Sequence, residues 1–66
     1  MNITINGEKR EVPGNPSLKQ AVEDLGYQTQ FVAIAVNMKC VPRKEWETHC
    51  LQEWDEIEIL SPQSGG

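Results

Sequence analysis

Phe31-Val32-Ala33-Ile34-Ala35-Val36 is a continuous apolar run containing β-branched residues. Six residues are too few for a buried helix and suit a central strand covered on both faces. Asn37-Met38 follows as a turn, and residues 39–41 form a short strand ended by Pro42. Residues 43–51 hold enough helix formers for a turn or two of helix, with Trp46 and Cys50 four apart on one face.

Upstream, Ile3 and Ile5 alternate with Asn2, Thr4 and Asn6, the period of a strand with one buried face. Asn6-Gly7 then predicts a two-residue hairpin, since both positions must tolerate positive φ. The return strand covers residues 8–12. If Ile3 pairs with Arg10, its inward side carries Glu8, Arg10 and Val12, and Arg10 must lay its stem on the core and send its head out. Pro13-Gly14 closes the hairpin. Ser17-Leu18-Lys19-Gln20 has the spacing of a capping box. Leu18, Ala21, Val22 and Leu25 make one apolar stripe, and Gly26 stands where a left-handed cap is wanted, so a helix is predicted over 18–25.

At the other end, residues 56–60 alternate again as a last strand. The order is then strand, hairpin, strand, helix, central strand, short strand, helical turn, last strand. One main helix over a small mixed sheet is the economical way to bury these stripes. That is an α+β chain of β-grasp, ubiquitin-like type, with residues 1–60 as a single domain and 61–66 as a flexible tail.

Sixty-six residues, 38% apolar and 24% charged, suit one soluble domain with no room for a deep pocket. No run approaches the roughly 18 apolar residues of a membrane span, and MNITINGEKR lacks the features of a signal peptide, so a cytoplasmic location without membrane contact is expected. The net charge of −4 argues against nucleic acid and for a basic protein partner.

Little here can carry catalysis. His49, the one histidine, has no acid or nucleophile at a telling spacing and is expected to be an exposed polar residue. Cys40 and Cys50 are ten apart, outside any redox or zinc spacing, and are expected as free packing residues. Glu53, Asp55, Glu56 and Glu58 offer carboxylates without a fixed ligand count, so a solvated strand face is expected and no metal. Trp46 is assigned to the core. Trp54, in a turn, and Leu60, which alternates outward beside the tail, are docking candidates together with Pro62.

The tail SPQSGG remains. Glycine costs most to order and packs least, so Gly65 and Gly66 add nothing to a core. Six extended residues reach about 20 Å, and the missing Cβ atoms let the walls of a partner's channel close on the backbone at Gly65, with Ser64 behind it. A domain without catalytic groups, ending in a thin strand with a bare carboxylate at Gly66, suits the substrate or carrier of another enzyme's chemistry.

The sequence resembles the ThiS family, the sulfur carriers of thiamine biosynthesis, in its opening MNITINGE, the capped SLKQAVEDLG, the central FVAIAVNMKCVPRKEWETHCL and the terminal GG. The resemblance implies a β-grasp fold and a carrier that is not itself an enzyme. It implies adenylation of Gly66 by an E1-like, ThiF-like enzyme that uses ATP, with no cofactor bound to the carrier. Sulfur from a cysteine persulfide would then give a Gly66 thiocarboxylate for a ThiG-like thiazole synthase. The molybdopterin synthase small subunit, typically longer, shares the fold and the diglycine, and a protein-conjugating ubiquitin-like modifier is a further alternative. One departure stands out: the family usually has Gly-Asp before the last strand, where this chain has Trp54-Asp55.

Overall fold

Two tight hairpins and one helix organise residues 1–61, the part described in the computed structural model. Strands β1 (Asn2–Ile5) and β2 (Glu8–Glu11) form the first hairpin, and α1 (Leu18–Asp24) follows. Strands β3 (Ala33–Val36) and β4 (Lys39–Val41) form the second hairpin, and β5 (Glu56–Leu60) is the last strand. The sheet order is β2-β1-β5-β3-β4, with β5 parallel to β1 and antiparallel to β3. This is the expected β-grasp arrangement, with the last strand inside the sheet. Among the described residues no helix is long and apolar enough to cross a membrane.

Both hairpin turns require positive φ at two central residues. Asn6 and Gly7 supply 52° and 83°, and Asn37 and Met38 supply 52° and 69°. The first turn sets the register Ile3↔Arg10, as the alternation predicts. The ordered pairing stops at Glu11, and Val12 is buried just beyond it, but Glu8 and Arg10 stay in solvent. β2 is an edge strand, so their heads pair with each other at 3.1 Å rather than crossing the core.

The helix start behaves as half a capping box. Ser17 Oγ accepts from the Gln20 N–H at 3.1 Å, whereas the Gln20 amide turns away and donates to Asp24 Oδ1 at 2.8 Å. Leu25 is the C-cap and Gly26 follows at φ 83°. Leu18, Ala21 and Val22 lie against Ile3, Ile5, Ile34, Val36, Val41 and Ile57 in one buried cluster with Val12, Trp46 and Leu51. Each buried Val, Leu or Ile side chain contributes about 1.5–3 kcal/mol of burial.

Other expectations are corrected. The run 31–36 is not covered on both faces: Ile34 and Val36 are buried in the core with Val32 packed against it, Ala33 is exposed, and Phe31 sits at φ 63°, 80% exposed. A single helix covers a single face, and alanines are small enough to stand on the open one. Residues 43–51 form the expected helical turn, but as the single 3₁₀ turn Arg43–Glu45, which ends at Trp46. Trp46 and Cys50 therefore do not share a face; Trp46 is buried with Nε1 donating to Val41 O at 2.8 Å, while Cys50 is exposed and bridges to Ser17. Both cysteines are free, as expected, but neither is a packing residue, since both are exposed. His49 is half-buried, and its carbonyl accepts from the Leu18 N–H at 2.8 Å.

Asp55 is a further correction. It is 9% exposed rather than solvated. Its Oδ2 accepts from the Gln52 N–H at 2.8 Å and its Oδ1 from Asn37 Nδ2 at 3.0 Å. Glu56 and Glu58 do lie in solvent. Glu53 accepts from both Asn2 N and Asn2 Nδ2, at 3.1 and 2.8 Å, which holds its carboxyl below the usual carboxylate range.

Candidate functional site: the open sheet face and the end of β5

Cross-strand partners share a face of a sheet. The face opposite α1 therefore carries Thr4 and Glu56 in one row and Glu58, Ala35 and Cys40 in the next. Leu60 and Ala33 form a third row at the C-terminal end of β5. Leu60 is 58% exposed, and the neighbouring strand is preceded by Phe31 on the same end of the sheet. β5 ends in this apolar group, and Ser61 follows it. Carboxylates of Glu56 and Glu58 border it along β5. Such a surface has the anatomy of a protein contact, an apolar centre with a charged rim.

The predicted residues separate into three places. Leu60 stands at the end of β5. Trp54 stands before its start, on the opposite end of the strand, 55% exposed with Lys9 Nζ 5.2 Å from its ring centroid. Pro62, Ser64, Gly65 and Gly66 lie outside the described residues. Phe31 was missed as a surface residue, because an aromatic inside an apolar run gives no sign that its backbone turns left-handed.

Trp54 explains its own departure from the usual glycine. Its φ is 68°, a conformation that glycine adopts freely and that costs a residue with a Cβ about 1–2 kcal/mol. The turn is kept, with Trp54 N–H donating to Asn2 O and Asp55 N–H to Gln52 O at 3.1 Å. The strain is offset in part by the contact with Lys9.

Among the described residues there is no group of three or more His, Cys, Asp or Glu placed to hold a metal ion. A depression beside the first hairpin turn, lined by Thr4, Asn6, Gly7, Glu56, Ile57 and Glu58, is open to solvent along β5. It is shallow and does not form an enclosed site.

Comparison with known proteins places this geometry. A model described as the ThiS family matches residues 3–66. The sulfur carrier protein ThiS of Escherichia coli is 27% identical over 66 residues, covering 100% of each chain. A thiazole synthase of Paramagnetospirillum magneticum is 27% identical over the same length, although the chain spans only 20% of that larger protein. The crystal structure of a thiamine biosynthesis protein (ThiS) from Geobacter metallireducens matches with a TM-score of 0.83 at 25% identity, over 100% of both chains.

Proposed function

The chain belongs to the ThiS family, and from that premise we propose that it is the sulfur carrier of a thiamine pathway, loaded at Gly66. The observation that carries the reading is the continuity of the match from the first strand to residue 66, across a fold whose last strand lies inside the sheet and ends at the exposed Leu60. The thiazole synthase containing a similar segment supports thiazole formation as the destination.

The chemistry follows from what a carboxylate lacks. It is ionised and a poor electrophile at neutral pH. A partner of the ThiF-like class would join Gly66 to AMP from ATP, releasing pyrophosphate and making the acyl carbon attackable. A cysteine persulfide sulfur would then displace AMP, and a thiol would cleave the resulting S–S bond to leave a thiocarboxylate. That soft anion is a far better nucleophile than the carboxylate. Transfer to a ThiG-like thiazole synthase would return the original terminus. The carrier's own residues bind and present: Phe31, Ala33 and Leu60 offer the apolar contact, and Glu56 and Glu58 meet basic side chains at its rim. ATP belongs to the partner, and a cytoplasmic setting fits this cycle.

Deleting Gly65 and Gly66 tests the division between domain and tail. Among the described residues the buried cluster ends at Ile57 with Ile59 packed against it, so the truncated chain should melt within about 0.5 kcal/mol of the parent and accept no sulfur. Sulfur uptake by the truncated chain would refute the assignment.

A further inference from the structure

β5 receives a side chain from the hairpin turn on each side of it. Asn37, first in the β3–β4 turn, accepts the Glu56 N–H on Oδ1 at 3.0 Å. Asn6, first in the β1–β2 turn, accepts the Ile59 N–H on Oδ1 at 2.8 Å. The two asparagines hold opposite ends of the strand that leads to the tail.

Asn6 stands where the backbone ladder runs out. β1 pairs with β5 through Thr4↔Glu56 and Ile5↔Ile57, and the Asn6 N–H donates to Ile57 O at 2.9 Å. At Gly7 the chain turns back into β2, so no β1 carbonyl can meet Ile59. The Asn6 amide oxygen takes that carbonyl's place and adds one rung, immediately before Leu60. β3 reaches the same level from the other side through Ala33↔Leu60. The end of β5 is thereby held on both edges.

We propose that Asn6 is a positioning residue, fixing β5 at Ile59 so that Leu60, the end of the strand ahead of the reacting terminus, is held in one orientation toward the adenylating partner. The role rests on the carrier reading above. Asparagine suits the position twice, because it tolerates the turn's φ of 52° and its short amide reaches the neighbouring strand. Glycine would serve the turn alone, so the two demands can be separated by mutation.

Asn6→Gly keeps the turn and removes the rung; Asn6→Asp keeps an acceptor oxygen at the same reach. In Asn6→Gly the Ile59 amide should exchange with solvent about tenfold faster or more. The Thr4 amide, which donates to Asp55 O, should keep its protection. With a cognate adenylating enzyme, kcat should fall about tenfold while KM stays near the parent's, because the docking patch is intact and only the delivery of the terminus is loosened. Asn6→Asp should recover most of both losses. Unchanged Ile59 exchange in Asn6→Gly overturns the proposal, as does an unchanged kcat once Ile59 has been loosened. A loss of Thr4 protection together with no recovery in Asn6→Asp would make the residue merely structural and overturns it as well. If the parent chain is never adenylated, the carrier reading itself fails, and with it any role in delivery.

Discussion

Replacing Asp55 by alanine removes the one charged side chain buried among the described residues, and the structure sets the size of the effect. Two donors lose their acceptor: the Gln52 N–H at 2.8 Å and Asn37 Nδ2 at 3.0 Å. The second loss spreads, because the same Asn37 amide holds the Glu56 N–H through its oxygen. An orphaned buried donor costs about 1–3 kcal/mol. Since the site is at the edge of the core and water can reach part of it, we expect a total of about 2–4 kcal/mol. A 66-residue domain has roughly 3–10 kcal/mol in hand. At about 4–8 °C per kcal/mol for this size, Tm should fall by roughly 8–32 °C. Urea and thermal denaturation of Asp55→Ala and Asp55→Asn give the comparison. Asparagine keeps one acceptor oxygen and should lose about half as much. A loss below about 0.5 kcal/mol for alanine would refute the view that Asp55 anchors the start of β5.

Leu60→Ala should leave Tm nearly unchanged, because the side chain is 58% exposed, while affinity for the adenylating partner drops about tenfold; titration calorimetry and a melting curve on the same variant check both, and a fall of several kcal/mol in stability would return Leu60 to the core. Glu53 gives a pH test. Its carboxyl is held low by the Asn2 side chain and backbone, so its contribution is present above the unfolded carboxylate's pKa and is lost as pH falls through the lower folded value. The Tm gap between parent and Glu53→Gln should therefore shrink as pH drops from about 7 to about 2, and a gap independent of pH would contradict the Asn2 contact.

Local pattern was informative wherever one physical demand acted alone. Asn6-Gly7 needs positive φ twice, and it produced both the turn and the Ile3↔Arg10 register. The strands 39–41 and 56–60 matched their alternation or their proline stop. Several of the readings that failed were those in which hydrophobicity was taken for burial, or charge for exposure. Ala33 and Phe31 are apolar and face solvent, since one helix cannot cover two faces. Asp55 is charged and buried, because two donors from separate segments converge on it, a convergence that no local window contains. The Trp54 turn shows a third limit: the position demands a left-handed backbone, and a residue poorly suited to it occupies it nonetheless. As for the candidate site, the outward turn of Leu60 was visible from alternation, whereas its neighbours Ala33 and Phe31 became visible only through the register of β3 on β5.

The most direct test of the carrier assignment is the intact mass of the protein after incubation with a cognate adenylating enzyme, ATP and a persulfide sulfur source, followed by fragmentation to place any change along the chain. The account predicts a gain of about 16 Da, one oxygen exchanged for sulfur at an activated carboxylate, confined to Gly66. An unchanged mass in the presence of an enzyme shown to be active, or a gain located on an internal side chain, would contradict it.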